Sequence, residues 1–115
     1  MSEVTEAFVD RMVAIHPELE PLRRQHLDEN FGDMLPHLWT SDLARYVVGR
    51  YQADGPVAVE PLLATLDAEA GSSPEVDEMI AVSFVEFLPG PGEAGSEVTQ
   101  HLGPRLTEML RQQRD

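Results

Sequence analysis

Apolar positions recur at helical spacing through most of the chain. Val4, Phe8, Met12 and Ile15 share one face of a first helix, with Ser2 as its N-cap, and Pro17 pushes His16 out of the α region, so this helix ends near Ile15. A weaker pattern, Leu19, Leu22, His26, Leu27 and Phe31, runs to the Asn30-Phe31-Gly32-Asp33 break and pairs with the first helix as a hairpin. Leu35, Leu38, Trp39, Leu43, Tyr46 and Val47 then define the clearest amphipathic helix, over about residues 34–52, with Pro36 in its first turn where a missing N–H costs little. Asp54-Gly55-Pro56 is a turn signal. Val59, Leu62, Leu63, Leu66 and Ala70 follow on one face, and Pro61 requires that this helix either begin near Glu60 or kink.

A stop and a restart lie in residues 70–75, where Ser73 suits an N-cap, Pro74 the first helical position and Glu75 the positive helix end. In residues 79–88 only Ser83 and Glu86 interrupt an apolar run that covers nearly all sides, which predicts the central, most buried helix. Residues 80–85 alone would also suit a buried strand, but the length of the run and its N-terminal cap favour the helix. Residues 89–95 are too rich in Gly and Pro for regular structure. Ser96 is placed to cap a last segment carrying Val98, Leu102, Leu106, Met109 and Leu110, broken at Gly103-Pro104, with Arg111 and Arg114 near its negative end.

The pattern therefore predicts an all-α fold: about five to six helices in antiparallel hairpins forming a compact bundle. At 115 residues the chain fits one helical domain, 1–115, with a single core. Hydrophobic residues are 42% and charged residues 25%, a balance that folds despite the acidity.

Charge narrows the partners. A formal net charge of -13 repels nucleic acid and anionic membranes and favours a basic protein, unless the acidity serves solubility alone. The absence of cysteine removes disulfides, thiolate metal sites and cysteine nucleophiles. An acidic N-terminal sequence and the lack of an apolar run near 20 residues imply a cytoplasmic location.

Candidate chemistry is sparse. His16, His26, His37 and His101 lie on separate segments, and the five-residue step from His37 to Asp42 does not align them on a helix, so no metal site is expected. No nucleophile elbow or phosphate loop occurs, and Pro91 and Glu93 spoil the superficial likeness of Gly90-Pro91-Gly92 to one, so no cofactor is expected either. Asp42 sits on the apolar stripe of the clearest helix and Glu86 in the most apolar one. Each must be paired, as Asp42 could be with Arg45, or functional, and as an enzyme the chain would use the two as acid and base. Neither the spacing nor a substrate pocket supports catalysis, so the chain is read as no enzyme.

Binding residues are easier to nominate. Trp39 and Tyr46 belong to the core by register, whereas Tyr51 beside Arg50 suits a surface anchor. The acid-rich stretches 28–33 and 67–78, with Asp28, Glu29 and Asp33 in one and Asp67, Glu69, Glu75, Asp77 and Glu78 in the other, would form an acidic face for a basic partner, or simply solvated surface.

Leu35-Pro36-His37-Leu38-Trp39-Thr40-Ser41-Asp42-Leu43-Ala44-Arg45, Ile80-Ala81-Val82-Ser83-Phe84-Val85-Glu86-Phe87-Leu88 and Leu102-Gly103-Pro104-Arg105-Leu106 together resemble a family of small bacterial helical domains of uncharacterised function. Members of that family are similar to immunity proteins of bacterial toxin systems. The resemblance implies stoichiometric neutralisation of a cognate toxin and carries over no catalytic residue. The alternative that charge and size leave open is a structural adaptor or self-associating scaffold subunit.

Overall fold

The computed structural model describes residues 3–114, and among these every regular element is a helix. The α-helices are α1 (Glu3–Ile15), α2 (Glu20–Glu29), α3 (Pro36–Asp54), α4 (Glu60–Glu69), α5 (Pro74–Ser83) and α6 (Pro104–Arg114). Single 3-10 turns at Pro17–Leu19, Pro56–Ala58 and Val85–Phe87, and a longer one at Ser96–His101, join them. Ser2, proposed to cap the first helix, lies outside the described residues.

Proline and glycine set most boundaries as the sequence implies. Pro36, Pro61 and Pro74 each occupy a first turn, where the ring's fixed φ suits the helix and no N–H is missed. Pro61 thus opens α4 without kinking it. Gly55 ends α3 at φ 86°, a conformation other residues adopt at a cost, and its N–H donates to the Tyr51 carbonyl. The Ser73 hydroxyl accepts from the Val76 N–H at 3.2 Å, capping α5.

α5 is the central element. Val76, Met79, Ile80 and Ser83 are buried on it, and it packs against α1, α3, α4 and α6. The widest of these faces is α3, which brings Trp39, Leu43, Ala44 and Val47; α1 adds Phe8, Val9, Met12 and Val13, and α4 adds Leu62, Leu63 and Leu66. A Cα radius of gyration of 13.4 Å is that of a compact domain of this length.

Several expectations are corrected. The buried residues of α3 are Pro36, Trp39, Thr40, Ser41, Leu43, Ala44 and Val47, while Leu35 and Leu38 are 37% and 44% exposed. Leu35 is the extended N-cap residue, outside the helical register, and small residues complete the inner face instead. Val4 and Ile15 likewise face outward on α1. The run at 79–88 does not stay helical to its end: α5 stops at Ser83, Phe84 turns the chain, and Val82 and Phe87 are left 46% and 52% exposed. Ser96 caps nothing, because left-handed Gly95 precedes the 3-10 turn and the serine side chain makes no cap bond.

The start of α6 has a different cap. The Asp67 carboxylate, on α4, accepts from the backbone N–H of Arg105 at 2.9 Å and of Leu106 at 3.0 Å. Arg105 in return donates to the Ala70 carbonyl at the end of α4. Each helix thereby satisfies orphan backbone groups of the other. The approach is possible because residue 103 is glycine: a Cβ there would lie 2.6 and 2.7 Å from the two Asp67 carboxylate oxygens.

Candidate functional site

The connection between α2 and α3 is built around a buried histidine. His26 is on the inner face of α2 with its side chain fully enclosed. The Leu35 N–H donates to its Nε2 at 3.0 Å, and its Nδ1 lies 3.7 Å from Asp42 Oδ2. Asn30 closes the corner from the other side, donating its side-chain amide to the His26 carbonyl at 2.7 Å.

Residues 30–33 form the outer edge of this corner. The Gly32 N–H reaches back to the Leu27 carbonyl at 2.8 Å, a helix-ending bond that places Phe31 in the left-handed region at φ 57°. Phe31 is not part of a buried stripe, as its spacing from Leu27 implied: α2 ends at Glu29 and the ring is 98% exposed. Asp28, Glu29 and Asp33 flank it, all exposed.

Asp42 is half-buried and ion-paired to Arg45 three residues on, the structural alternative that its position left open. It lines a groove of about 330 Å³ with Leu22, Gln25, His26, Glu29, Arg45 and Tyr46. Glu86 is exposed on the turn after α5 and is not among the residues that line that groove. Among the described residues no group of three or more His, Asp or Glu could hold a metal ion. Among the described residues no helix is long and apolar enough to cross a membrane.

The structure separates the nominated acids into two kinds. Asp67 caps α6, Asp77 accepts from the Gly71 N–H, and Glu69 takes both a 3.0 Å and a 2.7 Å bond from the Arg11 guanidinium on α1, which holds Arg11 above its ordinary pKa. Glu29 accepts from the Gln25 amide and, among the described residues, from nothing else. The carboxylates of Asp28, Asp33, Glu75 and Glu78 have no hydrogen bond or ion pair among the described residues. Tyr51 is half-buried against the core, its ring 5.7 Å from that of His101.

The cations are fully committed. All eight basic residues are arginines. Arg11, Arg23, Arg24, Arg45, Arg50 and Arg111 pair with carboxylates, while Arg105 and Arg114 donate to backbone carbonyls at helix ends. Sequence reasoning anticipated the Asp42–Arg45 pair but missed the His26–Leu35 bond and the exposure of Phe31, since both depend on where α2 stops. The one available signal was the Asn-Phe-Gly order, which offers two good left-handed residues around a poor one. No family model matches the chain, and neither the curated proteins nor the solved structures contain a significant match, so the family resemblance rests on the three sequence segments that carry it.

Proposed function

We propose that this chain is an acidic protein-binding domain of the immunity or antitoxin type, acting in the bacterial cytoplasm by stoichiometric occlusion of a basic toxin-like protein. The observation that carries the reading is the distribution of charge. Every arginine is tied to a partner inside the molecule, so among the described residues no unpaired arginine stands against the acids of a chain whose net charge is -13. Such a field speeds encounter with cationic surfaces and disfavours nucleic acid and anionic lipid. Catalysis has no counterpart support, since Asp42 is ion-paired to Arg45 and Glu86 lies outside the groove that Asp42 lines.

The test is co-expression with the product of the adjacent gene, scoring host survival and co-purification at rising salt. Rescue with a complex whose association slows as salt rises supports the reading; neither rescue nor complex overturns it. A second reading, a self-associating adaptor, draws on Val82 and Phe87, which stand exposed where α5 ends. Concentration-dependent association lost on Val82→Ser would favour it.

A further inference from the structure

Building on the protein-binding reading, but independent of whether the partner is a toxin, we propose that the α2–α3 corner is the docking surface and that its occupant is a cationic protein segment with an apolar pocket for the Phe31 ring. Phe31 is disfavoured twice where it stands. It adopts a left-handed backbone at φ 57° that suits asparagine or glycine, and its ring, 98% exposed, gains no packing in return. Asn30 and Gly32, on either side, are the residues that normally fill such a position. Leu35 and Leu38 follow in the chain with partly exposed side chains at the start of α3.

The rim decides the occupant. Asp28, Glu29 and Asp33 flank the ring, and the nearby Arg45 is tied to Asp42. A second copy of this chain has no unpaired arginine to set against those acids, so self-docking here brings like charges together. Nucleic acid and anionic bilayers meet the same repulsion. An aromatic anchor within an acidic rim is instead complementary to a basic, amphipathic stretch of another protein.

The probe is a pair of peptides of equal length and charge, one alternating lysine with leucine and the other lysine with serine, titrated into the labelled protein by NMR. The leucine peptide is expected to bind about tenfold more tightly, the lower end of what burying one Phe ring supplies, and to shift the amides of residues 28–38. Phe31→Gly is expected to erase that tenfold difference while raising the Tm by about 4 °C through relief of the left-handed strain. Equal or absent binding of both peptides, shifts centred on Glu75 and Glu78, or a preference that survives Phe31→Gly overturns the proposal. If the peptides behave as expected but the adjacent gene product is not bound, the immunity reading falls and the docking surface stands.

Discussion

Removing the Asp67 carboxylate should destabilise the protein through a helix it does not belong to. Asp67→Ala deletes one acceptor that serves the Arg105 and Leu106 amides at the start of α6. Losing a helix cap costs about 1 kcal/mol and a charged acceptor somewhat more, so about 2 kcal/mol is expected, or a Tm lower by about 8 °C. Gly103→Ala should cost a similar amount for the same reason. Its backbone is outside the left-handed region, so alanine is conformationally allowed, but the new Cβ would come within 2.7 Å of both carboxylate oxygens and displace them. The loss of both amide bonds, offset by roughly 0.5 kcal/mol from the stiffer unfolded chain, leaves about 1.5 kcal/mol. The two changes remove the same interaction, so the double variant should also lose only about 1.5 kcal/mol against an additive expectation of about 3.5. Urea unfolding followed by far-UV circular dichroism and by the single tryptophan measures all four corners of the cycle. Additivity would refute the reasoning, because it would mean that Gly103 accommodates something other than Asp67.

Three further outcomes follow from the geometry. His26→Phe keeps a ring in the corner but leaves the Leu35 amide without its acceptor, so it should cost about 1 to 3 kcal/mol and sharply raise hydrogen exchange at Leu35; unchanged exchange there would show the bond to be dispensable. Trp39 is fully buried with its indole N–H unpartnered among the described residues, so Trp39→Phe, which removes the orphan donor along with some volume, should cost only about 1 kcal/mol, and Trp39→Ala, which removes the donor too but opens a large cavity, about 4; a Trp39→Phe loss of about 3 kcal/mol or more would mean that no donor penalty is relieved. The hydrogen bond from Arg111 holds the Glu108 carboxyl below its ordinary value. The pair therefore stabilises the folded state above the unfolded carboxyl pKa and is lost as pH falls through the depressed folded one, a local effect at an exposed site. Arg111→Gln should raise the Glu108 midpoint in an NMR titration, and an unmoved midpoint would contradict the pairing.

Much of the fold was legible because proline and glycine punctuate it. Pro36, Pro61 and Pro74 open helices, Gly55 closes one, and Ser73 with its proline marks α5 before any tertiary contact is known. What the pattern could not convey is the phase of each helix against its neighbours. Leu38 and Thr40 are two residues apart on α3, and only packing against α5 decides that the threonine is buried and the leucine is not. Periodicity also overran α5, since an apolar run continues through Phe84 although the backbone turns there. The nominated acids were less legible still. Asp67 and Asp28 look alike in sequence, yet one is consumed by a helix 38 positions away and the other is open to solvent, a distinction that exists only in three dimensions. His26 belongs to the same class, its role being fixed by a backbone amide nine residues later.

The central position of α5 has a consequence for how the chain is made. α1 and α3 place much of their apolar faces against a helix that begins at Pro74, so during synthesis the first half of the protein emerges with Phe8, Met12, Trp39 and Val47 covered only in part, by the packing of α1 and α2 on α3. At roughly 5 to 20 residues per second the partly covered interval lasts seconds, far longer than helix formation itself. Its own acidity then serves the nascent chain: the carboxylates of α1 and of the segment around α2 are already present during that interval, and their mutual repulsion keeps neighbouring growing chains apart until residues 74–88 arrive to close the core.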